Sequence, residues 1–271
     1  MNECRKSTDP MKVLVFSSLY PNNIWPNHGV FVKERMTHWA KLSGCSLEVI
    51  APVPYYPPIG AGKRQAFSQV VRQEYIDGIS VHHPRYMMIP KFGMILHGLM
   101  MFGGVASYVK QLREAFPFEL IDAHYVYPDG FAALLLGRYL KCPVVISARG
   151  SDIHQFSTMP FIRPFLRWTA RHANKVIAVS ATLQESLIRL GCREDKISVI
   201  ANGVDTTKFF PVAPEVAQGK IGISDKKIIL SVARLVPNKG GDLLVRALRL
   251  VIDENPNWPV CLVFVGEGPS L

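Results

Sequence analysis

The sequence predicts an α/β protein, a doubly wound parallel-sheet domain followed by the first part of a second domain of the same kind. Three observations lead there. Short β-branched runs alternate with helical patterns, several of those runs are apolar without strict polar alternation, and the rhythm breaks once and restarts. Alternating strands and helices favour a parallel sheet, and continuously apolar strands are those covered on both faces.

The first strand is KVLVFSSLY, followed by a helix over residues 30–42 and the strand LEVIAPV. Over residues 70–89, Asp77-Gly78 separates VVRQEYI from ISVHHPRYMMI, which predicts a hairpin on the sheet or at its edge. Residues 92–109, FGMILHGLMMFGGVASYV, are almost uncharged and approach the length of a membrane span. Four glycines, His97 and the polar continuation KQLREAF favour a buried helix instead, since a span needs about 20 apolar residues. LIDAHYV, PVVISAR, KVIAVS and KISVIAN complete a first domain over residues 11–205. TTKFFPVAPEVAQGK carries two prolines and no helical or strand period, so residues 206–212 read as a linker. Residues 213–271 restart with KIILSVARL, GGDLLVRALRLVIDE and VCLVFVGEG. One βαβ unit cannot cover both faces of a sheet, so this is the first third of a second domain. Residues 1–10 read as a loose leader or a misplaced start before Met11.

With 271 residues and 48% hydrophobic content, the chain can bury a sizeable core. A formal net charge of +10 predicts an anionic partner. The basic residues are scattered, with short pairs such as Lys63-Arg64 and Lys226-Lys227 and no RNP-like, zinc-finger or arginine-rich block. A small phosphorylated ligand or an anionic membrane surface therefore ranks above nucleic acid. The five cysteines are odd in number and widely spaced, without a C-x-x-C pair or a secretory apolar core, which fits a reducing cytoplasm.

Parallel sheets bind ligands at the carboxyl ends of their strands, so the loops there are the places to search. SSLYPNNIWPNHG closes at Gly29, before a helix whose N-terminus favours an anion, although an ordinary turn glycine fits equally. His124 ends LIDAH and serves either as a base or hydrogen-bond donor, or as a structural histidine. ARGSDI sets Arg149 and Asp152 at the mouth of a buried strand, where charge is used by function or held in an internal ion pair. In VARLVPNKGG, Arg234 ends a strand and Lys239 precedes a glycine-opened helix, so two cations and a helix start converge on one anion. Such a pair suits a departing diphosphate, whose growing charge needs neutralising. There is no G-x-G-x-x-G after the first strand, no Walker lysine motif, no metal-ligand spacing and no serine-hydrolase elbow.

ARGSDI, VIAVSATLQESLIRLG, KISVIANGVDTTKFFP, ILSVARLVPNKGGDLLVRAL and FVGEGP, in that order and spacing, resemble glycosyltransferase family 4. The resemblance runs from Met11 onward, with NGVD ahead of Phe209 and Pro211 its most specific part. It implies a GT-B fold of two Rossmann-like domains, the first for the acceptor and the second for a nucleotide-sugar. It further implies transfer with retention of configuration, to a glycan or lipid-linked acceptor in polysaccharide or glycolipid biosynthesis. No cofactor and no metal are implied. Expected location is the cytoplasm, with peripheral contact to the inner face of the cell membrane. Arg234 and Lys239 match the cations that hold the donor diphosphate, and Gly29 matches the glycine loop facing it. His124, Arg149 and Asp152 fall at the catalytic side; Arg149 stands where many relatives have histidine, and a guanidinium is a poor proton acceptor. Family members continue for ~100 residues past the GEGP turn, including an E-x7-E motif that binds the donor sugar. That implies a fragment, a split gene product or a truncated form, with a catalytically inactive acceptor-binding domain as the alternative. A sugar-nucleotide epimerase on the same architecture is disfavoured by NGVD and by ARL-x4-KGG.

Overall fold

The computed structural model describes residues 10–56, 65–89, 93–223 and 226–269. The leader expected over residues 1–10 and the Lys63-Arg64 pair lie almost wholly outside them. The chain divides into two compact units, Met1–Gly203 and Val204–Leu271.

The first unit is built on an eight-stranded sheet. In chain order its strands are β1 (Lys12–Phe16), β2 (Ser46–Ile50), β4 (Gln73–Ile76), β5 (Ile79–His82), β7 (Leu120–His124), β8 (Val144–Ala148), β9 (Lys175–Ala178) and β10 (Ile197–Val199). Across the sheet the order is β10-β9-β8-β7-β1-β2-β5-β4, parallel throughout except for the β4–β5 hairpin at the edge. Asp77 and Gly78 turn that hairpin with positive φ at both positions, as an Asp-Gly turn requires. A separate short parallel pair joins β3 (Val53–Tyr55) to β6 (Arg85–Met87).

Helix α1 (Val30–Ser43) packs Val32 and Met36 on one face of the sheet, against Val13, Val15, Val49 and Val81. The helices α2 (Gly93–Ala115), α3 (Phe131–Leu140), α5 (Arg163–His172) and α6 (Ala181–Arg189) cover the other face, with the short α4 (Ser151–Phe156) between β8 and α5. Their core runs over Leu14, Phe16, Ile121, Ile146 and Val176. Right-handed crossovers explain the split, because the chain leaves β1 toward β2 but runs from β7 to β10 in the opposite direction.

Two expectations change. The described part of the apolar stretch, residues 93–109, is not a fully buried helix: Met101, Val105 and Val109 are buried at four-residue spacing, while Ile95, Leu96 and Leu99 are 39–44% exposed. Only one face of α2 meets the β6 strand and α3, so the stretch is amphiphilic by position although not by composition. Among the described residues, no helix is long and apolar enough to cross a membrane. The stretch TTKFFPVAPEVAQGK, expected to lack helical structure, contains α7 (Pro214–Ile221). Pro214 stands in the first turn, where its missing N–H costs nothing, and Gly222 closes the helix in the left-handed region.

In the second unit β11 (Lys227–Val232) pairs in parallel with β12 (Val260–Val265), joined through α8 (Gly241–Glu254). Its strands and helix follow the predicted βαβ order.

Candidate active site

Strand β1 lies between β2 and β7, where the direction of winding reverses. At such a switch point the loops beyond neighbouring strands separate and leave a crevice. Three loops meet at this one: residues 17–29 after β1, Val126–Gly130 after β7, and residues 149–152 after β8.

Two buried carboxylates tie these loops together. Asp129, 1% exposed, accepts hydrogen bonds from the backbone N–H of Ser18 and from Ser18 Oγ at 3.1 Å, joining positions 111 residues apart. Burial pushes its carboxyl up to about 7 against those hydrogen bonds. Asp152 is fully buried; its oxygens accept from Val126 N at 2.7 Å and Arg149 N at 3.1 Å. Burial raises this carboxyl as well. Asp152 therefore braces backbone and faces no solvent, and its link to Arg149 runs through the main chain rather than through an ion pair. The brace holds Tyr125 at φ 81, a left-handed value uncommon for a tyrosine, with its hydroxyl 2.7 Å from Ser151 Oγ.

His124 and Arg149 come together as one group. Arg149 Nη2 donates to His124 Nδ1 at 2.5 Å and Nη1 donates to Asn202 Oδ1 at 2.8 Å, while the guanidinium carbon lies 5.1 Å from the Phe31 ring centre. With Nδ1 occupied as an acceptor, the imidazole carries its proton on Nε2. Burial, reinforced by Arg149 and Arg35, lowers the imidazole well below its usual value, so His124 is neutral. Nε2 points to Asp122 Oδ2 at 3.7 Å. Burial raises Asp122 to about 6, opposed by Arg35 and Arg149, and lowers Arg149 to about 10. Asp122 Oδ1, His124 Nε2, Arg149 Nε and Arg35 Nη1 have no hydrogen-bond partner among the described residues. Clustered unsatisfied polar atoms cost stability and are concentrated where function requires them.

Gly29 sits at φ 66, and a Cβ there would lie 2.2 Å from the Leu19 carbonyl oxygen. Close packing of the loop on itself is thus sufficient reason for glycine. The first turn of α1 places Phe31 under Arg149, so the loop still borders the cluster.

Arg234 and Lys239 belong to the second unit, and both are exposed. Arg234 follows β11; Lys239 ends the turn Pro237–Lys239, and Gly240 at φ 68 opens α8. The GEGP glycines gain a physical reason here. Cβ atoms on Gly266 and Gly268 would lie 1.9 and 2.0 Å from the carbonyls of Ala233 and Leu235, on either side of Arg234. Leu235 N donates to Glu267 O at 2.9 Å, extending the parallel pairing beyond the strands.

Sequence reasoning did not single out Asp122, Asp129, Arg35 or Asn202 as site residues. Asp122 had a usable signal, an acid two residues before His124 on the same face of a central strand. Arg35 is one of many surface-like helix positions and carried none. Among the described residues, no group of three His, Cys, Asp or Glu side chains could hold a metal ion.

The model of Glycosyltransferase Family 4 matches residues 60–208, more than half of the chain. The chain is 30% identical over 269 residues to the Bacillus subtilis glycosyltransferase TuaC, whose name assigns it to teichuronic acid biosynthesis, covering 96% of this chain and 66% of that protein. It is 27% identical to a GDP-mannose-dependent alpha-(1-6)-phosphatidylinositol monomannoside mannosyltransferase of Mycolicibacterium smegmatis, over 80% of this chain and 53% of the relative. Among solved structures, Anabaena Alr3699/HepE in complex with UDP and glucose superposes with a TM-score of 0.60 at 20% identity, over 96% of this chain and 62% of that one. Sucrose-phosphate synthase from Thermosynechococcus elongatus gives 0.62 at 13% identity, over 96% of this chain and 71% of that one. These structures share the GT-B fold with this chain. The chain spans between about half and two thirds of the length of the curated relatives it matches.

Proposed function

We propose, on the premise that this chain belongs to glycosyltransferase family 4, that it serves transfer of a sugar from a nucleotide-sugar to a glycan or lipid-linked acceptor. The reading extends to retention of anomeric configuration, to polysaccharide or glycolipid assembly, and to a cytoplasmic reaction without resident metal or cofactor. The observation that carries it is the Arg149 guanidinium, held between His124 and Asn202 at the switch-point crevice.

A fixed guanidinium is a charged donor that needs no reorganisation as negative charge develops on a bound group. His124 acts through Arg149 as a positioning residue, because its Nδ1 lone pair is already engaged and it is neutral. Asp152 and Asp129 keep the three loops in register. In the second unit, Arg234 and Lys239 supply the cations for the donor diphosphate, beside the N-terminus of α8.

The test is release of UDP or GDP from UDP-glucose or GDP-mannose, measured with and without oligosaccharide or lipid-linked acceptors. Acceptor-dependent release, a product of unchanged anomeric configuration by NMR, and insensitivity to EDTA are expected. Arg149→Ala should lower turnover by roughly 100-fold, the scale for losing one preorganised charged donor. Acceptor binding without release, in the chain alone and with a separately expressed C-terminal half of a relative, would identify an acceptor-binding chain instead.

A further inference from the structure

The side of the sheet that lies under α1 changes character along its length. In a sheet, successive residues of a strand point to opposite faces, so residues in register on neighbouring parallel strands share a face. Val15 of β1 is in register with Asp122 of β7, Asp122 with Val145 of β8, and His124 with Ser147. Val15 packs under α1, so Asp122, His124 and Ser147 lie on the α1 side as well. Toward the amino ends that side is apolar, with Val13 beside Leu120; at the carboxyl ends it is polar. Glu48 of β2, in register with Leu14, belongs to the other face, where it bonds His82.

Helix α1 meets this polar end with Arg35. Val32 and Met36 are buried on the sheet-facing side of the helix, and Arg35 stands three residues after the first and one before the second, so it leans over the same face. Its Nη1 is buried and has no hydrogen-bond partner among the described residues, a condition shared by Asp122 Oδ1, Arg149 Nε and Ser147 Oγ. The charged and titratable groups around Asp122 are Arg35 from α1, His124 on its own strand and Arg149 beyond β8, while β1 and β8 offer it only Val15 and Val145 in register. One carboxylate therefore stands against two guanidinium groups. Arg149 is already committed to His124 and Asn202, with Phe31 against it. Burial holds Asp122 up at about 6, opposed first by Arg35 and then by Arg149. An acid left uncompensated in such a setting takes up a proton or draws in the nearest cation. The first event would loosen the His124 N–H, and the second would turn Arg149 away from the crevice.

We propose that Arg35 is a positioning residue: it neutralises Asp122 from the α1 side, so that Asp122 keeps its hold on His124 and Arg149 keeps its charge for the crevice. Arg35 acts through Asp122 and not on the substrate. The inference rests on the sugar-transfer reading where turnover is measured, and stands apart from it where the His124 ring is observed directly.

The experiment compares Arg35→Gln, Arg35→Lys, Asp122→Asn and the combined Arg35→Gln/Asp122→Asn variant in two assays, with circular dichroism to check folding. In turnover of UDP-glucose or GDP-mannose, Arg35→Gln should lower kcat roughly tenfold, the scale of one charge-assisted contact, and leave KM within about twofold. Its acidic limb should move to higher pH by about one unit, because a cation beside the carboxylate is gone. Arg35→Lys, which keeps the charge, should recover most of the loss. In the Asp122→Asn background Arg35→Gln should have almost no further effect, since the pathway between them is already cut. The second assay follows the imidazole ¹⁵N resonances of His124 through the acid range, where a step reports ionisation of Asp122. That step should move to higher pH in Arg35→Gln and vanish in Asp122→Asn. Arg35→Met, which keeps the apolar stem, replaces Arg35→Gln if the latter does not fold. Losses that add in full in the combined variant, a change confined to KM, or a His124 step that stays in place would each overturn the inference. A parent without turnover would count against sugar transfer, and the His124 resonances would then decide the role of Arg35.

Discussion

The two units carry their candidate functional groups in opposite ways. In the first, His124, Arg149, Asp122, Asp129 and Asp152 are buried or nearly so, and all but Asp122 hydrogen-bond to groups from another loop. In the second, Arg234 and Lys239 are exposed, and no described residue beyond Ile197 is buried. Charge in a low-dielectric setting is costly and precisely held, whereas charge in water is inexpensive and free to reorient. Substitutions should therefore cost folding in the first unit and ligand affinity in the second.

The largest effect should come from Gly29→Ala, which combines a left-handed backbone with a 2.2 Å approach to the Leu19 carbonyl. A loss of about 3 kcal/mol or more is expected from strain of that kind, read from urea unfolding of the first unit. Gly266→Ala, facing an equal obstruction at 1.9 Å from Ala233 O, sharpens the comparison. It should move only the second unit's signal, and a shift in the main transition would break the separation of the two units.

Asp152→Ala comes next. It leaves the buried Val126 and Arg149 N–H groups without their acceptor, at a cost of about 2–3 kcal/mol in the same unfolding assay. A loss below about 0.5 kcal/mol, typical of surface sites, would show that the brace is dispensable.

Asp122 separates the units by pH. Its folded value is raised, to about 6 from 3.8, so the ionised form is disfavoured by folding, and this group's contribution falls as pH rises through that interval. Relative to the parent, Asp122→Asn should gain stability between pH 4 and 6, by an amount on the order of 2 kcal/mol. A constant difference across that range would remove Asp122 from the buried cluster's electrostatics. If ionised Asp122 orients His124, the acidic limb of the turnover profile near pH 6 should disappear in the same variant.

The smallest folding effects belong to Arg234→Ala and Lys239→Ala, each within about 0.5 kcal/mol as for exposed positions. Calorimetry with UDP should nevertheless show roughly tenfold weaker binding, the scale of one charge-assisted hydrogen bond. Unchanged affinity would detach these cations from the diphosphate.

Much of the fold was legible because strand and helix periods are local. KVLVF, LIDAH and PVVIS became β1, β7 and β8, and the Asp-Gly turn placed the edge hairpin. The helical face of α2 was not legible, since glycine and apolar residues surround the helix and only its neighbours decide which side is covered. α7 was hidden by Pro211, which precedes it, and by Pro214, which starts the helix.

The sequence by itself determined the order of elements and the family resemblance, and it singled out six candidate positions: Gly29, His124, Arg149, Asp152, Arg234 and Lys239. Tertiary structure alone decided the hydrogen-bond partners of His124, Arg149 and Asp152. Whether Asp152 faces a ligand or a backbone N–H, and whether His124 keeps its lone pair, depends on partners from other strands. Asp129 meets Ser18 across 111 residues because the crossover order seats β7 beside β1. Periodicity is set by neighbours three or four positions away, whereas burial and hydrogen-bond partnership are set by the winding of the whole sheet.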